Sequence, residues 1–256
     1  MNNKTAKQIV KEYRIKQVGV IVLYALALAM MIWVISINTV LGFVGIIALA
    51  MTFGRVFDEL CKRSVEKVIF EELDPVTFDE ILKLGMFKKS MRHQVLGAMG
   101  VGDYERVFAL IEKESEKPLS PIEKCNNIYR KSAIYFEQHD LEKLAKGVAE
   151  YNALKKQYPK FEYAFNNFTV FDKFDAFLDE DYEYVIGVCE IDLRDDNPKQ
   201  QNHKLTRLNV SFYRAVAFYD MGELEKAREA FEEIVNYAPK THKATLSKNY
   251  LSKIYL

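Results

Sequence analysis

Glycine, proline and cysteine are scarce in this chain, at 11, 6 and 3 of 256 residues. So few breakers leave long uninterrupted segments. The apolar–polar alternation that marks strands is almost absent after Arg55, which excludes a turn-rich β architecture. Cys61, Cys125 and Cys189 stand singly, each 64 positions from the next, with no C-x-x-C pair and no histidine at ligand spacing. They read as reduced core thiols, and neither a disulfide framework nor a zinc site is expected. Net charge is missing too: 36 basic residues balance 36 acidic ones, so no nucleic-acid partner is expected. His93, His139, His203 and His242 are scattered, and none pairs with a cysteine or carboxylate at a catalytic spacing. GAMGVG at 97–102 lacks the preceding strand and the Lys-Ser or Lys-Thr of a phosphate loop, and Asp192, Asp195 and Asp196 lack the glycine of a calcium loop. No catalytic residue, metal, cofactor or small-molecule substrate is expected, and the chain does not read as an enzyme.

The longest absence is of charge itself. Residues 18–54 carry no Asp, Glu, Lys, Arg or His, in a chain otherwise dense with them. A single span of ~30 Å needs about 20 residues, so this run is too long for one crossing and slightly short for two. Ser36, Asn38 and Thr39 interrupt it at the midpoint, which predicts a transmembrane hairpin with arms 18–35 and 40–53 and a turn at 36–39; the short second arm with Gly42, Gly45 and Gly54 leaves a shallow re-entrant hairpin as the alternative. The ten Val, Ile and Leu of the first arm favour insertion by roughly 3–6 kcal/mol, and the eight apolar residues of the second by roughly 2–5. Lys4, Lys7, Lys11, Arg14 and Lys16 precede the first arm; Arg55, Lys62, Arg63 and Lys67 follow the second; the turn has none. Basic flanks stay inside, so the sequence predicts a cell-membrane protein with two spans and both termini cytoplasmic, residues 1–17 forming a basic tail. With no ionisable group in either arm, the hairpin reads as an anchor rather than a transport path. Gly42 and Gly45, with Ala25, Ala27 and Ala29, let the arms pack closely.

Beyond an amphipathic helical connector at 55–87, apolar residues recur at three and four positions and prolines fall between the periodic segments, which predicts an all-α domain over 88–256. Four short stretches recur in it: GDYERV at 102–107, HDLEKL at 139–144, EDYEYV at 180–185 and GELEKA at 222–227. Spacings of 37, 41 and 42 residues match helical-hairpin arrays, and Asp103, Asp140, Asp181 and Glu223 stand where a second helix begins, placed to cap it. Phe165, Phe168, Phe171, Phe174 and Phe177 are spaced by three, which spreads the rings around a helix packed between neighbours.

The stretch 208–241 resembles a tetratricopeptide (TPR) repeat. Ala215 and Phe218 stand where the first helix of that repeat has its small and aromatic residues, Gly222 at the turn, Leu224, Ala227 and Phe231 along the second helix, and Pro239 at the exit. The three earlier repeats keep mainly the turn and the aliphatic Val107, Leu144 and Val185. The resemblance implies a solenoid of TPR-like hairpins, with 242–256 as a capping helix, that binds a protein or peptide on the cytoplasmic side. In that register Asn126, Asn167 and Asn209 take equivalent places early in three first helices, where amides could hold a peptide backbone at both donor and acceptor. Arg130 and Tyr213 complete the candidate groove. The Lys and Asn pattern of a carboxylate clamp is missing, its nearest positions being Arg92, Leu96 and Tyr213. A membrane-anchored, non-catalytic scaffold is the expected function. The alternative is a subunit of a larger membrane complex in which the hairpin itself is the main interaction element.

Overall fold

The structure is a computed structural model that describes residues 5–57, 62–195, 198 and 202–256. Cys61, Lys4 and Asp196, each given a role above, lie outside the described residues. Among those that are described, fourteen α-helices and one short 3-10 turn account for the regular structure and no strand occurs. The chain divides into two compact units, 1–88 and 89–256.

The first unit holds α1 (Ala6–Ile37), α2 (Thr39–Phe57), α3 (Arg63–Phe70) and α4 (Pro75–Lys83). A capping box starts α1: Thr5 Oγ1 accepts from the Gln8 amide at 3.4 Å, and Gln8 Oε1 accepts from the Thr5 amide at 2.9 Å. From Ala6 onward the basic head is therefore helical and runs into the apolar arm without a break, where the sequence suggested a separate tail. Ala6, Val10 and Tyr13 recur at helical spacing and are buried where α1 packs on α3 and α4. The facing helices bury Val65, Val68 and Ile69, and Phe78, Ile81 and Leu82.

The chain reverses at one residue instead of four. Asn38 is extended (φ −145°, ψ 102°), donates its amide to the Val34 carbonyl at 2.8 Å, and through Oδ1 accepts the Leu41 amide at 3.1 Å. Because one asparagine ends α1 and caps α2, Ser36 and Ile37 stay helical, and Ser36 Oγ bonds the Trp33 carbonyl at 2.6 Å. The two helices then run closely together. A Cβ on Gly42 would stand 2.2 Å from the Ile35 side chain and 2.8 Å from its backbone nitrogen; one on Gly45 would stand 2.3 Å from Met31 Sδ. Farther along, Tyr24 Oη donates to Thr52 Oγ1 at 3.2 Å and its ring meets Phe53 edge-on at 4.6 Å. Among the described residues one helix, α1, is long and apolar enough to cross a membrane; the apolar part of α2, Thr39–Phe53, is shorter and rises only about 22 Å against ~30 Å of hydrocarbon. Two crossings are thus not matched by two helices of spanning length.

The second unit stacks α5 (Met91–Val101), α6 (Tyr104–Ser115), α7 (Pro121–Glu137), α8 (Leu141–Gln157), α9 (Glu162–Phe165), α10 (Val170–Leu178), α11 (Tyr182–Arg194), α12 (His203–Asp220), α13 (Leu224–Tyr237) and α14 (His242–Ile254). The four recurring stretches make one turn four times. Gly102, His139, Glu180 and Gly222 all take left-handed backbone (φ 77°, 57°, 60° and 85°) and donate to the carbonyl three residues back. The next residue, Asp103, Asp140, Asp181 or Glu223, donates to the carbonyl five back at 2.8–2.9 Å, which completes a Schellman exit. The three aspartates then accept the amides of Arg106, Lys143 and Tyr184 at 3.2, 3.1 and 3.1 Å and so open the second helix. Glu223 takes the same place without a side-chain cap.

Two departures from a regular array matter for the site. Upstream of the third turn there is no long first helix: Pro159 starts a 3-10 turn, α9 is four residues, Asn166 and Asn167 turn the chain, and α10 begins only at Val170. The phenylalanine row therefore spans three pieces, although Phe165, Phe171, Phe174 and Phe177 are all buried. The array also closes. α14 covers α13 and reaches α5, so the final helix touches the first hairpin, whereas in an open solenoid each repeat meets only its neighbours. At the closure, the His242 ring stands where a Gly102 Cβ would be, 2.3 Å away, and lies edge-on to Tyr104 at 5.3 Å. Beside it Glu137, 5% exposed, accepts from Tyr104 Oη at 2.5 Å and pairs with Lys243.

Candidate functional site

The sequence placed a row of amides along the inner helices of the second unit. Asn126 is half-buried near the start of α7, and Asn209 is half-buried near the start of α12. Asn167 is exposed in the turn between α9 and α10, because the break at Pro159 leaves no first helix there to carry it. The row is interrupted at its middle member. Tyr213 is a core residue: it is 4% exposed, its ring meets Phe136 at 5.0 Å and Phe174 at 5.6 Å, and burial raises its phenol well above the ordinary value.

One residue from Asn126 the structure does form a polar groove. Between the α6–α7 connection, α7 and α8 lies a depression of about 310 Å³ whose polar lining includes Lys124, Asn127, Lys131, Glu150 and Gln157, with Leu154 and Ile128 among its apolar residues. Ser120 fixes the start of α7 with a second capping box: Glu123 donates its amide to Ser120 Oγ at 3.3 Å, and its carboxylate accepts from the Ser120 hydroxyl at 2.7 Å and the Ser120 amide at 2.8 Å, which, the hydroxyl first, hold the carboxyl below its usual value. Pro121 sits at the first helical position, where its missing N–H costs nothing. These caps set the register that turns Asn127, Lys124 and Lys131 toward one side of α7.

Asn127 is the residue of interest. It is 5% exposed, its Oδ1 accepts from Arg130 Nη1 at 2.8 Å, and its Nδ2 has no hydrogen-bond partner among the described residues although it borders the groove. Arg130 in turn reaches Glu114 Oε2 at 3.5 Å; burial lowers the guanidinium's pKa, and the charge of Glu114 opposes that shift. Arg130 thus fixes the orientation of the Asn127 amide through its oxygen and leaves the nitrogen, in a residue that lines the groove, buried and unpartnered. A buried donor left open in this way favours a ligand that brings an acceptor, such as a backbone carbonyl or a carboxylate. Asn127 was missed at the level of sequence because the repeat register was counted from the turns, and one position along a helix is a rotation of about 100°.

The remaining sequence candidates resolve into structural roles. Burial pushes the thiols of Cys125 and Cys189 up to about 12 each. GAMGVG ends α5, with Gly102 as its left-handed exit. Asp192 pairs with the buried Lys173 at 2.8 Å, and His93 Nδ1 shares a 2.6 Å hydrogen bond with Ser90 Oγ. Among the described residues no group of three or more His, Cys, Asp or Glu stands close enough to hold a metal ion. Comparison with known proteins finds no matching family model, no matching curated protein and no matching solved structure.

Proposed function

We propose that the chain is a membrane-anchored, non-catalytic scaffold. α1 and α2 insert as a hairpin with both ends on the cytoplasmic side, and the TPR-like array of residues 88–256 holds a protein or peptide there. The observation that carries this reading is the uncharged surface of α1 and α2. Leu23, Leu26, Trp33, Val40 and Leu41 are each more than 60% exposed along helices that hold no charge from Val18 to Phe53, a surface that water does not support and hydrocarbon does. The contacts of Gly42 and Gly45 keep the two helices in register in that medium. The short apolar stretch of α2 is accommodated by local thinning of the bilayer. On the other unit, the open amide of Asn127 between Lys124 and Lys131 suits an extended, acidic peptide. Confining that groove to a membrane raises its effective concentration toward partners that share the surface.

A cysteine at Ser36, in a chain whose own cysteines are changed to serine, tests the topology in intact cells with a membrane-impermeant maleimide. Labelling from outside is expected, and its absence overturns the two-span arrangement. Photo-crosslinking from Lys131, compared between the full chain and one lacking residues 1–54, tests the scaffold. The same cross-linked partner is expected from both, whereas loss of the partner with the hairpin would make the chain a complex subunit held through its arms.

A further inference from the structure

The first turns of α1 carry charges that neither the anchor nor the repeat array uses. Lys7, Lys11 and Arg14 follow one another at four and three positions, so they form one stripe down the helix, and Val18 continues it a turn farther into the uncharged run. The stripe borders the face that packs on α3 and α4. Leu84, at the end of α4, consequently forms the opposite wall of an open groove of about 530 Å³, whose apolar lining continues through Val10 and Ile15. Among the described residues none of the three cations has a carboxylate partner. Glu12, the acidic residue of this segment, is rotated about 100° around the helix from Lys11.

The lining therefore has two halves in sequence along one helix: cations for about 10 Å, then uncharged apolar surface that leads to the exposed Val22 and Leu26. A free anion would meet the first half only. An amphiphile with a net negative head and a hydrocarbon tail meets both, and a zwitterionic head would bring a cation for which the groove offers no carboxylate. We infer that this groove seats an anionic phospholipid, its phosphate among Lys7, Lys11 and Arg14 and its acyl chain along Ile15 and Val18. The inference rests on the membrane reading above and assigns the groove to the headgroup level of the cytoplasmic leaflet.

The test uses the full chain reconstituted into phosphatidylcholine vesicles doped with spin-labelled phosphatidylglycerol or spin-labelled phosphatidylcholine. The motionally restricted fraction reports the lipid held at the protein. Wild type is expected to prefer phosphatidylglycerol by about three- to tenfold. The triple variant Lys7→Gln, Lys11→Gln, Arg14→Gln is expected to hold both lipids equally, and Lys16→Gln, outside the groove, to keep the preference. No preference in wild type, or one that the triple variant retains, overturns the inference while leaving the anchor intact. A preference abolished by inorganic phosphate at constant ionic strength, so that screening is unchanged, assigns the groove to a free anion and overturns the lipid. Failure of the chain to incorporate into either vesicle overturns the membrane reading itself.

Discussion

The hairpin α1–α2 and the hairpin α12–α13 are made of the same element and treat apolar side chains in opposite ways. In α12–α13, Leu208, Phe212, Val216, Phe231 and Ile234 are buried, and the outward positions carry Arg214, Glu225, Arg228 and Glu233 in ion pairs. In α1–α2 the large apolar residues face outward, and the helices meet where glycines leave room. Burial of apolar area joins the first pair. In the proposed membrane setting it would not join the second, and close contact of backbones and the Tyr24–Thr52 hydrogen bond would serve instead. The contrast is the one that the proposed membrane anchor requires.

The strongest way to break the contrast is on the water-facing side. Glu137→Ala removes the carboxylate that Tyr104 and Lys243 share and leaves a largely buried ammonium unpaired, so thermal or urea unfolding of the full chain should show a loss of about 3–5 kcal/mol in the repeat unit. On the other side, Gly42→Ala drives a methyl group into the Ile35 backbone and should weaken the α1–α2 contact by about 1–3 kcal/mol. Its readout is a lower disulfide yield between cysteines placed at Tyr24 and Thr52, with unfolding of the repeat unit unchanged. Equal yields would mean the glycines are not what joins the arms. Glu180→Gly relieves a left-handed non-glycine residue and should stabilise the repeat unit by about 1 kcal/mol, sharpening the case that four turns share one backbone requirement.

The smallest effect is pH-dependent. Burial raises the pKa of Asp220, against the opposing charge of His139, whose Nδ1 lies 3.9 Å from the carboxylate. A carboxyl group raised in the folded state favours folding while protonated, and that contribution is lost as pH rises through its folded value. Asp220→Asn should therefore stabilise the repeat unit at neutral pH, with the gain vanishing as pH falls toward the ordinary aspartate value of about 3.9. A gain that is the same at both ends of that range would assign the effect to packing.

Much of this was legible in sequence because the signals are local. The chain reversal followed from Asn38 and its polar neighbours, and the four turns from a recurring acidic residue placed to cap a second helix. What escaped depends on sums over distance. The closure of α14 on α5 joins helices at opposite ends of the second unit, and no single repeat encodes it. The interruption at Pro159 displaced Asn167 because the spacing of turns says nothing about whether the helix between them is whole. The groove moved from Asn126 to Asn127 because the register was counted from the turns, and one residue along a helix decides which way a side chain points.

The closure also sets a clock on folding. Glu137 and Lys243 are 106 positions apart in the chain, so at ribosomal rates their pairing is delayed by about 5–20 s after Glu137 has been made. A linear array could consolidate hairpin by hairpin as it emerges. Here the first hairpin waits for the final helix, so contacts of long sequence separation slow the last step and tie early and late segments into one cooperative transition. During that interval Glu137 and Tyr104 remain open to water and to whatever holds a nascent chain.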